Sequence, residues 1–425
     1  MTKIGLLLVE VRMRDELFTS STLRCDMSET GWTMMNRLNG SDVSYLDYNA
    51  TAPIRPEAAA AVIEAMQSVG NASSVHQPGR QAAHRIDLAR QQLADLLNCS
   101  PGEIIFTSGA TEANNLALRS AYIPGNPLVT SPIEHPAVLE TARMVTAERA
   151  EDLVLLPVGS DGLVDLNALE LVFATRSGGV VSLMGANNET GVLTDLRVVA
   201  KAAREAGALV HTDATQIVGR LPVDLAELDV DLLSLSAHKF GGPQGVGALY
   251  VRRGTPLPHR PLLVGGGQER GWRAGTLNAA GIIGLGAAAD AARRNLGEEA
   301  KRITTLRDRL EGLLTCALPD CRINGRRDQR LPGVTSITFP GVPADAVLAA
   351  MPDVAASEGS ACASGAPTPS HVLLAMGLSR EDADSTIRFS LGYATTDAEV
   401  EHAMEAVVRA VTQVRAALAE ADGPR

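Results

Sequence analysis

The chain has 425 residues, 45% of them hydrophobic, with 38 basic against 49 acidic side chains and a formal net charge of −11. That acidic balance argues against nucleic acid as a default partner, because phosphate binding needs a basic surface. No stretch reaches the roughly 18 apolar residues of a membrane span. The five scattered cysteines fit neither a disulfide framework nor a metal knuckle, and they suit a reducing, cytoplasmic compartment.

Residues 1–42 lack clear periodicity. They read as a poorly ordered N-terminal extension, or as an over-long start with initiation near Met27. From "SYLDYNATAP" onward the pattern sharpens. Apolar runs at 103–108, 127–131, 153–158, 180–185, 208–213, 231–237 and 247–253 predict strands, and amphipathic stretches such as "DLRVVAKAAREAG" (195–207) predict helices between most of them. Strand alternating with helix implies an α/β fold whose mainly parallel sheet is covered on both faces. After Gly281 comes a long helical span to about residue 317. Strands at 333–339 and 386–392, short helices and a final helix over 396–419 then read as a smaller α/β domain. The expected division is a large domain over 58–293 and a small one from 43–57 with 294–420.

Ligands in such sheets bind at the carboxyl ends of the strands. "VHTDATQ" places Asp213 at one such end, and "LSLSAHKFGG" places Ser236, His238 and Lys239 at the next. Alone, Asp213 reads as a turn residue and Lys239 as a solvated lysine. Together they are the pair pyridoxal phosphate needs: an amine for a Schiff base and an acid to keep the ring nitrogen protonated. In "TSGATEANNLAL", Ser108 to Thr111 open a helix just after a strand, either as a simple cap or, with Ser236 and His238, as a phosphate cup. His135 in "SPIEHPAVLE" is either a capping or core histidine or a flat face for a ring, in a chain only 3% aromatic. Asn187 and Asn188 in "GANNETG" stand at another strand end, where an amide can bond a ring hydroxyl.

These motifs, with "YLDYNATAP", "GNASSVHQPGR", "GGGQERGWRAGT", "GSACASG" and "TIRFSLG", resemble in order those of the cysteine desulfurases. That family is the class V aminotransferase branch of fold-type I pyridoxal phosphate enzymes. The resemblance covers about residues 43–415. It implies a fold-type I transferase with Lys239 as Schiff-base lysine and Asp213 as the pyridinium partner. It implies that His135 stacks on the ring and assists proton transfer, and that Asn188 and Gln216 bond the ring oxygen. Ala110, Thr111, Ser236 and His238 would hold the phosphate, with Thr276 from the other subunit of a homodimer. Arg388, beside Asn188, would clamp the substrate carboxylate. Cys362, in a run of small residues, would be the nucleophile.

The implied reaction takes L-cysteine to L-alanine and leaves a persulfide on Cys362 for a sulfur-acceptor protein whose identity the sequence does not disclose. Iron–sulfur assembly, transfer RNA thiolation and DNA phosphorothioation all start from that persulfide. Selenocysteine lyase or another class V lyase or aminotransferase is the alternative chemistry, and a non-catalytic sulfur-relay scaffold the alternative class. The chain departs from the family at Ala274, where serine is frequent, and at Leu277, where an acid is frequent. Glu358 lies close to Cys362, and a carboxylate there raises a thiol pKa. Only 37 residues follow Arg388, short of the tail on members that dock a cluster scaffold.

Overall fold

The computed structural model describes residues 43–358 and 368–421. The expected extension (1–42), Cys25 and the segment 359–367 that carries Cys362 lie outside the described residues. The first strand, β1 (Ser44–Tyr45), is short. Seven strands follow: β2 (Ile104–Thr107), β3 (Leu128–Thr130), β4 (Leu153–Leu155), β5 (Val180–Ser182), β6 (Leu209–Asp213), β7 (Leu232–Ser236) and β8 (Gly247–Val251). Each falls within an apolar run expected to be a strand. They form one sheet in the order β2-β8-β7-β6-β5-β3-β4.

The pairs from β4 across to β7 are parallel, while β8 runs antiparallel to both β7 and β2. The reason is the link: residues 237–246 are too few for the helical crossover a parallel strand requires. Strands β2, β5 and β7 are buried at every position, as expected where helices cover both faces. The helix Leu196–Glu205 shows how a cover is built. Asp195 caps it by accepting from the Arg197 and Val198 amides, and Leu196, Val199, Ala200 and Ala203 form its buried face at helical spacing.

The remaining strands are β9 (Arg322–Ile323), β10 (Val334–Thr338), β11 (Val354–Ala355) and β12 (Thr386–Ser390). β10 pairs antiparallel with β9 and β12, and β11 pairs parallel with β1. A second apolar core lies against this smaller sheet, with Leu46, Ile337, Phe339, Phe389 and Val407 in it. The helix Ala279–Ala317 serves both cores: Ile282, Leu285 and Ala289 enter the first, and Leu306, Leu310 and Leu314 the second. Among the described residues no helix is long and apolar enough to cross a membrane, and no group of three or more His, Cys, Asp or Glu side chains could hold a metal ion.

Candidate active site

A cavity of about 520 Å³ opens at the carboxyl ends of the parallel strands. His135, Asn188, Asp213, Gln216, Ser236, His238, Lys239, Ala110, Thr111 and Arg388 all line it. So do Ser108 and Thr215, but not Asn187 or Thr276. Thr276 is exposed on its own chain.

Lys239 ends the tight turn Ala237–Lys239 that follows β7. Its Nζ donates to the main-chain oxygens of Asn49 and Ala50, at 2.6 and 2.8 Å. The Asn49 oxygen also accepts from Gln216 Nε2 at 3.2 Å. From behind, Arg220 donates to the Lys239 carbonyl at 3.0 Å, to the Tyr48 carbonyl at 2.8 Å, and to the Asn49 side chain. Burial and the nearby Arg388 charge push the Arg220 guanidinium down to about 10.

Asp213 ends β6 and is almost fully buried. One carboxylate oxygen accepts from Asn114 Nδ2 at 2.7 Å and the other from the Thr215 amide at 3.0 Å. Both oxygens are therefore fixed, which aims the acid into the cavity floor. Two neighbouring atoms on that floor, Gln216 Oε1 and Thr215 Oγ1, are buried without a hydrogen-bond partner among the described residues. Buried polar atoms normally have one.

The cup opposite is the start of the helix Ala110–Ala121. Gly109 precedes it at φ +156° and ψ 179°, a conformation essentially closed to residues with a Cβ, and this turns the chain from β2 into the helix. The first turn then offers amides with no intrahelical partner and a positive helix end. Glu112 also faces this region. Burial opposes its ionisation, yet Ser108 and Arg273 hydrogen bonds hold its carboxyl below the usual range. His238 is pushed down to about 4 by burial, then by the charges of Lys239 and Arg220, so its imidazole is neutral. Its Nδ1 lies 3.1 Å from Thr51 Oγ1.

His135 caps a helix and also lies at the cavity. Its Nδ1 caps the helix Pro136–Val145 by accepting from the Ala137 amide at 3.1 Å, and its ring still lines the cavity. Asn187 and Asn188 part company. Asn187 turns inward, accepting from the Glu189 and Thr190 amides and donating to the Ile133 carbonyl, so it shapes the turn. Arg388 reaches the cavity from β12 and is only 2% exposed.

Several functional neighbours escaped the sequence reading: Asp47, Asn49, Asn114 and Arg220. Asn49 and Asp47 belong to "YLDYNATAP", which past Tyr45 at the end of β1 has no strand or helix to suggest a direction. Asn114 sits one helical turn beyond Ala110, and that offset from the cup was the available signal.

The site is well suited to pyridoxal phosphate: a primary amine, a fixed acid on the neighbouring strand end, a helix N-terminus beside Ser236, and orphaned polar atoms on the floor. Comparison with known proteins points the same way. The family model described as Aminotransferase class-V matches residues 44–402. The chain is 43% identical over 381 residues to the cysteine desulfurase IscS of Proteus mirabilis (strain HI4320), covering 87% of this chain and 93% of that protein. It is 41% identical over 380 residues to a cysteine desulfurase of Nostoc sp., covering 88% and 94%. Among solved structures, a NifS-like protein superposes with a TM-score of 0.80 at 34% identity, covering 87% of this chain and 99% of that one. A structure described as SspA in complex with cysteine superposes at 0.72 with 32% identity, covering 83% and 99%.

Proposed function

This chain belongs to the class-V aminotransferase family, on its cysteine desulfurase branch, and from that premise we propose how its residues take L-cysteine to L-alanine. The carrying observation is that Lys239, Asp213 and Arg388 face one cavity. Pyridoxal phosphate, when bound, supplies an electron sink that labilises bonds at the amino acid's carbons. Lys239 would hold it through the amine and Asp213 through the ring nitrogen. His135 would cover the ring face, and Asn188 and Gln216 would bond the ring oxygen. Ala110, Thr111, Ser236 and His238 would hold the phosphate.

Arg388 takes the substrate carboxylate, with Asn188 beside it. Lys239 and His135 move protons at the substrate carbons. Cys362 takes the sulfur: the substrate carbon–sulfur bond breaks, an S–S bond forms on Cys362, and a proton replaces sulfur on carbon. The products are L-alanine and a Cys362 persulfide, which a sulfur-acceptor protein then consumes. Thiolate is the attacking form.

A homodimer belongs to the same proposal. Thr276 is exposed and lies off its own chain's cavity, consistent with service to a second subunit. A cytoplasmic setting and the division into 58–293 against 43–57 with 294–420 complete it. In support of that division, the second core takes residues from Leu46 and from Ile303 onward.

The test is alanine and sulfide release from L-cysteine by the holoenzyme with excess reductant. Cys362→Ala is expected to keep the cofactor absorbance and lose sulfur transfer. Transfer undiminished in that variant rejects the role of Cys362. Absence of alanine with cofactor bound, but release from selenocysteine, rejects cysteine as substrate.

A further inference from the structure

Arg388 is held in a closed ring of hydrogen bonds. Its Nη2 donates to Asp47 Oδ1 at 2.7 Å, and Asp47 Oδ2 accepts from Ser357 Oγ at 2.9 Å. Ser357 returns to Arg388 through paired main-chain bonds: the Arg388 amide donates to the Ser357 carbonyl at 2.7 Å, and the Ser357 amide to the Arg388 carbonyl at 3.2 Å. Asp47 is fixed from a third side, because the next residue's amide donates to the Ser390 carbonyl at 3.0 Å, two residues along β12 from Arg388. On the guanidinium, Nη1 donates to the Asn188 carbonyl at 3.0 Å, while the buried Nε has no hydrogen-bond partner among the described residues.

An arginine side chain carries about 2 kcal/mol of rotamer entropy, and a ligand that must freeze it loses affinity accordingly. Here the freezing is complete beforehand. Asp47 does not line the cavity, whereas Arg388 does. The carboxylate therefore acts through the arginine. It occupies one donor and fixes the plane of the fork; the Asn188 carbonyl takes a second, and the remaining Nη hydrogens are left for an incoming anion.

We propose that Asp47 is a positioning residue that presets the Arg388 guanidinium for the substrate carboxylate, and so sets affinity for that group alone. This rests on the reading of Arg388 as the carboxylate clamp. The role is geometric, so an uncharged acceptor of the same shape preserves it. In Asp47→Asn the amide oxygen still accepts from Nη2, and the amide nitrogen donates to Ser357 Oγ.

The experiment titrates the cofactor absorbance of the holoenzyme with L-alanine and, separately, with ethylamine, which lacks the carboxylate. Asp47→Ala is expected to weaken L-alanine about tenfold, the scale of one lost hydrogen bond to a charged group, and to leave ethylamine unchanged. Asp47→Asn should restore L-alanine binding to within about threefold of the parent. Unchanged L-alanine binding in Asp47→Ala overturns the proposal. So does equal weakening of both ligands, which marks general damage, or failure of Asp47→Asn to restore, which marks charge rather than geometry. Arg388→Leu separates the two layers. If it spares L-alanine, the clamp reading itself falls. If it removes L-alanine binding while Asp47→Ala does not, only the positioning role falls.

Discussion

Asn114 and Asp213 meet beneath the cavity, the Asn114 Nδ2 donating to Asp213 Oδ2 at 2.7 Å. A helix thus fixes an acid that a strand delivers. Replacing Asn114 with leucine leaves that oxygen without its side-chain donor, and a hydrogen bond to a charged group is worth about 1.5–3 kcal/mol. The expected result is a loss of about tenfold or more in kcat/KM for alanine release, with cofactor absorbance retained. Unaltered kinetics would show that the Thr215 amide suffices to hold Asp213.

His211 carries a pH dependence of stability. It is fully buried between Ser182 Oγ, at 2.8 Å from Nδ1, and Ser234 Oγ, at 3.0 Å from Nε2. Burial pushes its pKa down to about 4, against an opposing pull from Asp213. The folded pKa lies below the unfolded value near 6.5, so the unfolded chain binds the extra proton between them. Stability from this residue is complete above about pH 6.5 and drains as pH falls toward 4, by on the order of 2 kcal/mol at pH 5. Denaturant titrations of parent and His211→Asn at pH 7.5 and 5 check this: the variant should lose less on acidification.

Gly392 and Gly312 should respond oppositely to alanine. A Cβ on Gly392 would stand 1.9 Å from Tyr48 Cδ1, so the ring must move, and with it the chain leading to Asn49 and Lys239. Overpacking of this kind costs about 1–3 kcal/mol. Gly312 lies in the long helix with nothing within 4 Å of its added Cβ, and alanine there gains about 0.5–1 kcal/mol. Thermal midpoints should fall for Gly392→Ala, with weaker cofactor retention, and rise for Gly312→Ala.

Much of this site was legible because strand ends are legible. Asp213, Ser236, His238 and Lys239 each follow an apolar run, and the sheet alone brings such positions together. Asp47 and Asn49 were not, since their partners Arg388, Lys239 and Arg220 lie 171 to 341 residues away and no local period records the contact. The antiparallel course of β8 was concealed by a strand pattern that looks the same in either direction. Its short link was the clue. The two open asparagines parted only through hydrogen bonds, which composition cannot rank.

The 39-residue helix Ala279–Ala317 is about 58 Å long and is rooted in both cores. Melting the smaller sheet would bare Leu306, Leu310 and Leu314, and fraying would then run back toward Leu285. The two sheets thus share one fate, and calorimetry of the apoprotein should record a single endotherm rather than two. Leu310→Ala and Leu285→Ala should lower that one peak together, each by the few degrees that about 2–5 kcal/mol commands in a chain of this size.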